Sequence, residues 1–166
     1  RGDRQNLNNE LEKIENFISG SNKIEIQDLL KLTNLAENYN VSELIDSCLS
    51  KNKTKTINIL NENIYSLEDC VLITRTFLMK SKRLLKICKE FQDKKNIDAV
   101  ISNFRPPIFW KDKEIVKQQA KCWSINNAED LIYKINDIEL LVKKNSSSAL
   151  KILSNFIIEQ TTIVSN

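Results

Sequence analysis

The chain contains no histidine, and among its 166 residues only two glycines, two prolines and one methionine. The missing histidine excludes imidazole acid–base catalysis, Ser-His-Asp and Cys-His nucleophile pairs, and histidine metal ligands. Two glycines, Gly2 and Gly20, cannot build a GxxxxGK[ST] phosphate loop. Tight turns draw on Gly and Pro, so their scarcity argues against an all-β fold and for helices. No apolar run reaches the roughly 18 to 20 residues of a membrane span. The opening stretch, RGDRQNLNNELEK, lacks the apolar core of a signal peptide. Its RGD tripeptide reads as chance rather than as an integrin ligand. With no initiator methionine, the chain is expected to begin inside a larger protein.

What is present is an ordinary globular balance, 41% hydrophobic and 28% charged. The formal net charge is +3, which permits a nucleic-acid partner without requiring one. Twenty lysines against five arginines, with many Asn and Ile, match AT-rich coding, so single lysines carry less functional weight. The four cysteines, Cys48, Cys70, Cys88 and Cys122, form no CxxC pair and fall among apolar helical positions. They are expected to be buried reduced thiols of a cytoplasmic protein. Acidic residues are scattered as on solvated helix faces. No catalytic residue, cofactor site or metal site is expected.

Apolar spacing of three and four residues runs through the chain and predicts an all-α fold of about nine helices. Leu7, Leu11, Ile14 and Ile18 share one face of a first helix, which Gly20 ends. Ile24 to Leu32 is a short segment, and Thr33 to Asn40 reads as a connector. Asn40 with Glu43 marks the start of a helix holding Val41, Leu44, Ile45, Cys48 and Leu49. Ile57, Ile59, Leu60 and Ile64 belong to another. Ser66 with Asp69 opens a long helix to about Gln92, whose broad apolar stripe needs more than one neighbour and is interrupted at Ser81. A short helix covers Ile97 to Phe104, and another runs from about Asp112 to Trp123. Asn126 with Glu129 opens the next, carrying Leu131, Ile135 and Val142. The last holds Leu150, Leu153, Phe156 and Ile157.

Three features are candidates for function. The two prolines, Pro106 and Pro107, stand together and must stop the preceding helix near Phe104. Phe109 and Trp110 follow at a helix entry, where a hydrophobic staple would sit, and Trp123 closes that helix. These aromatics are either an anchor inside the domain or a surface that packs on another subunit. On the long helix, Arg75, Lys82, Lys86 and Lys89 share a face opposite the apolar one. That face is either solvated or meets phosphates or an acidic partner. Lys143 and Lys144, with the serines after them, form a connector able to donate hydrogen bonds to a phosphate backbone.

The stretches GDRQNLNNELEKI, ENYNVSELIDSCLSKNKTKTINIL and FRPPIFWKDKEIVKQQAKCWS together resemble the C-terminal part of the delta subunit of the bacterial DNA polymerase III clamp loader. Leu7, Glu10, Leu11, Glu12 and Lys13 match its Leu-x-x-Glu-Leu-Glu-Lys helix. Val41, Glu43, Leu44, Ile45 and Asp46 match the helix that opens its third domain. Pro106, Pro107, Ile108, Phe109, Trp110 and Lys111 match its proline–aromatic corner, and Gln119, Trp123 and Ser124 the helix end beyond it. The resemblance implies residues 1–36 as the end of a small helical lid domain and 37–166 as a helical collar domain. It implies a role in DNA replication: holding together a five-subunit loader that places a sliding clamp on primed DNA. The parent would belong to the polymerase holoenzyme, and clamp opening would reside in an ATPase-like domain outside this chain. The implied partners are sister subunits and primed DNA, with no membrane and no cofactor. A helical nucleic-acid-binding or regulatory module using the Arg75–Lys89 face is the alternative from the residues alone.

Overall fold

The computed structural model describes residues 35–162 and, before them, residues 11, 12, 14–16 and 18, which are helical. The chain divides into two compact units, 1–40 and 41–166. In the first, Leu11 and Ile18 are exposed. The remaining residues of the predicted first helix, and Ile24 to Leu32, lie outside the described residues.

From Leu35 onward the described residues are helical with no strand. We label the helices α1 (Leu35–Leu49), α2 (Lys53–Glu62), α3 (Leu67–Lys94), α4 (Ile97–Asn103), α5 (Lys113–Cys122), α6 (Ile125–Lys144) and α7 (Ala149–Thr162). Short 3-10 turns at Trp110–Asp112 and Ser146–Ser148 precede α5 and α7.

α1 corrects one sequence expectation. The stretch read as a connector up to Asn40 is helical from Leu35, so Asn40 is not its cap. Leu35, Ala36 and Glu37 are strong helix formers with no Gly or Pro to stop them, and an internal Asn costs only a few tenths of a kcal/mol. α1 ends in a Schellman motif: Asn52 N–H donates to Ser47 O and Lys51 N–H to Cys48 O, both at 3.0 Å. The left-handed residue there is Lys51, with φ 59°, where glycine is usual. A lysine in that conformation carries a cost of about 1 kcal/mol, and its side chain has a specific use described below.

Asn52 caps α2, its side chain accepting from Lys55 N–H at 3.1 Å. α3 opens as predicted on a reciprocal capping box between Ser66 and Asp69. α6 opens two residues earlier than expected, on Ser124, whose hydroxyl accepts from Asn127 N–H at 3.2 Å. Asn126 therefore lies inside the helix; a serine after the extended Trp123 supplies the cap first.

α3 is the spine, packing against α4, α5, α6 and α7. One apolar cluster joins all seven helices, with the Phe77 and Phe156 rings 5.8 Å apart at its centre. Ser81 does not interrupt the α3 stripe: it is fully buried in it. Lys80 beside it is buried as well, and it makes a salt bridge to Asp46 of α1. Its ammonium also donates to Ser42 Oγ at 2.7 Å and Ser42 O at 3.0 Å. Gln119 of α5 donates to the other Asp46 carboxylate oxygen at 3.0 Å. Burial pushes the Lys80 ammonium below its usual pKa, against the pull of Asp46. This network fixes α1, α3 and α5 in one arrangement, because every member has a partner on another helix.

Candidate interaction surface

The proline–aromatic corner separates its residues by burial. α4 stops at Asn103, and Phe104 takes an extended conformation ahead of Arg105, which precedes Pro106 through a cis peptide bond. Phe104 and Ile108 are the buried anchors of the segment. Phe109 and Trp110 point outward, 57% and 69% exposed, so they are not anchors inside the domain. The exposed rings do not form the staple expected of them at the entry to α5; the buried apolar residue ahead of that entry is Ile108. The Phe109 and Trp110 rings lie 5.8 Å apart, and the Lys111 ammonium sits 5.4 Å from the Trp110 ring. Pro106 and Pro107 are exposed between the anchors.

Trp123, at the other end of α5, is only 6% exposed. Its indole N–H donates to Leu49 O at 2.7 Å. The Lys51 ammonium lies 3.5 Å from its ring and donates to Gln160 O at 2.6 Å. This explains a lysine at the left-handed end of α1: the side chain ties that end to α5 and α7. Burial lowers the Lys51 pKa to about 8, partly opposed by the Cys48 and Cys122 thiols.

The predicted basic residues fall into two groups. Arg75, Lys82, Lys86 and Lys89 are all exposed on α3. Lys89 is neutralised by Glu129 of α6 at 2.7 Å, and Lys143 by Glu139 at 2.6 Å. Lys144 is exposed at the end of α6. Lys86 reaches the corner: its ammonium donates to Arg105 O at 3.3 Å and lies 4.9 Å from the Phe104 ring. Lys86 thus links the basic side of α3 to the Phe104–Arg105 base of the corner, a contact that sequence spacing did not reveal. Among the described residues Lys82, Lys86, Arg105 and Lys111 have no acidic partner.

A cleft of about 740 Å³ opens between α3, α5 and α6 and is lined by Cys88, Phe91, Trp123, Ile125 and Lys121 among others. Its one thiol, Cys88, is raised to about 11 by burial and donates to Trp123 O at 3.6 Å, so it stays protonated at neutral pH. Cys48 and Cys70 are also buried and shifted upward, Cys48 to about 12, again by burial above all. Among the described residues no group of three or more Cys, Asp or Glu is placed to hold a metal ion, and no helix is long and apolar enough to cross a membrane. Comparison with protein-family models, curated proteins and solved structures finds no match for the chain.

Proposed function

We propose that this chain is an assembly module: the end of the lid domain and the collar domain of a clamp-loader delta subunit, binding sister subunits in DNA replication. The observation that carries the reading is the display of Phe109 and Trp110 on a corner whose neighbours, Phe104 and Ile108, are locked in the core. Large aromatics on rigid backbone lose little conformational entropy on docking, and they are enriched where interfaces are driest. The all-helical architecture is compatible with a collar. The motif resemblance supplies the family.

A second reading is favoured by one observation: Lys111 lies beside the exposed Trp110 ring and Lys86 reaches the base of the same corner, and neither has an acidic partner among the described residues. Single-stranded nucleic acid is held by this combination, phosphates on Lys and Arg and bases on exposed rings. Primed DNA is the form such a contact would take in a loader.

The test uses the 166-residue chain, immobilised and exposed to a cognate mixture of clamp-loader subunits without DNA. Retention of subunits, lost on Trp110→Ala, supports the assembly reading. Retention of only primed DNA, with affinity falling steeply as salt rises, replaces it with the second. Capture of neither removes both.

A further inference from the structure

The cleft between α3, α5 and α6 sorts its lining by depth. Cys88, Ala120 and Trp123 are buried and Phe91 and Ile125 half-buried, so its floor is apolar. Cys88 stays protonated with its S–H turned to Trp123 O, so the floor offers no nucleophile. A volume of about 740 Å³ falls within the range of small-molecule sites. Such sites are usually an apolar wall with a few convergent polar groups, and this cleft has both.

The polar lining is the exposed rim, Gln92, Lys121, Ser124 and Asn126. Among the described residues no carboxylate lines the cleft, and Lys121 makes no ion pair. Ser124 and Asn126 belong to the start of α6, whose first turn holds no acidic residue. That end of a helix carries partial positive charge, and its leading N–H groups have no partner within the helix. Glu129, one turn further along α6, is held by Lys89 at 2.7 Å. The charge offered to the cleft is therefore positive throughout, whole at Lys121 and fractional at the start of α6. A cationic ligand meets repulsion there. An amphiphilic anion matches both parts, its body against Phe91 and Trp123 and its head at the open rim, where the charge need not leave water.

We propose that this cleft binds small amphiphilic anions, an apolar body ending in a carboxylate or a comparable acidic group. The proposal does not depend on the clamp-loader reading. The probe is decanoate, titrated by calorimetry into the 166-residue chain, beside decyltrimethylammonium, which has the same apolar chain and the opposite charge. Decanoate is expected to bind one to one and at least about threefold more tightly. Lys121→Glu, at an exposed position, should remove that preference with an unchanged circular dichroism spectrum. Lys151→Glu, the same change of net charge at an exposed α7 residue outside the cleft, should leave it. Ile125→Asp should weaken decanoate further, since it removes apolar wall and adds a like charge at a helix start that favours Asp. Position is read from Trp123, the one tryptophan left in a Trp110→Phe chain, whose emission decanoate with a terminal bromine should quench. The absence of saturable decanoate binding overturns the proposal. So does equal affinity for the two amphiphiles, a preference that survives Lys121→Glu or is lost as fully in Lys151→Glu, or binding that leaves Trp123 unquenched.

Discussion

The two tryptophans stand at opposite ends of α5, one buried and one exposed, and the difference lies in what each indole meets. Trp123 has a carbonyl for its N–H, Leu49 O at 2.7 Å, and a cation over its face, so its polar edge is satisfied inside the protein. Trp110 touches only Phe109 and Lys111 among ring partners, and both are exposed. Burial of a tryptophan needs a polar partner prepared in advance. At Trp123 the end of α1 provides it, through a strained lysine and a free backbone carbonyl. At Trp110 nothing does, and the ring is left for an external surface. Stability thus belongs to the Trp123 end of α5, and recognition, under the proposed function, to the Trp110 end.

The strongest way to break it is Trp123→Ala, expected to cost about 3 to 5 kcal/mol in guanidinium unfolding, as truncations of buried aromatics do. A small effect there would mean that the ring packs loosely and the contrast is false. Next is Asp46→Ala, on the same buried side. It removes the one carboxylate paired with Lys80, whose side chain is 7% exposed and keeps only Ser42 as partner. Breaking one member of a buried pair costs about 3 kcal/mol or more. Replacing both, with Lys80→Met and Asp46→Leu, is expected to recover most of that loss. If the double variant is as unstable as the single one, packing rather than the unpaired charge explains the cost.

The sequence revealed helices better than it revealed what faces them. The Ser66–Asp69 box was legible because both partners lie within one turn. The Lys80–Asp46–Gln119 network was not, since its members are 34 and 73 residues apart. A hint was present: Lys80 is three residues after Phe77 and four before Leu84, on the apolar stripe itself. Reading Ser81 as an interruption hid it. The start of α1 was misplaced because Asn40 resembles a cap, and local chemistry cannot tell a cap from an internal Asn when helix formers precede it. At the corner, the sequence marked the right segment but not which aromatics turn inward. That choice is made by Ile108 and Phe104 filling the core ahead of Phe109 and Trp110.

A smaller effect sharpens the Trp123 side through pH. Lys51 has a folded pKa of about 8 against 10.5 for the free side chain. Between these values the unfolded chain binds more protons at this site, so its contribution to stability rises with pH and is lost as pH falls through about 8. Cys48, Cys88 and Tyr65 have the opposite sign. Burial raises them to about 12, 11 and 12, and the stability they contribute is lost as pH climbs above 9 for the thiols and above 10 for the phenol. Denaturant midpoints in reducing buffer are expected to rise slightly from pH 8 to 9 and fall beyond. Lys51→Met should abolish the rise and leave the fall. A rise that survives in Lys51→Met would separate the lysine from the effect.

The smallest expected change is the one that tests the other end of α5. Trp110→Ala should move stability by no more than about 0.5 kcal/mol, the range of exposed substitutions that break no cap, pair or core contact. Its ring leaves no cavity because it fills none, and its loss strands no buried polar group. The Lys111 ammonium, freed from the ring, returns to water at little cost. Phe109→Ala is expected to behave alike, whereas Ile108→Ala, one residue away and buried, should cost about 2 to 5 kcal/mol. Three adjacent residues would then give a large effect and two null ones, a step that follows burial and not position in the sequence. A loss at Trp110 approaching that at Trp123 would mean the corner is part of the core after all, and the rings would have no surface left to offer a partner.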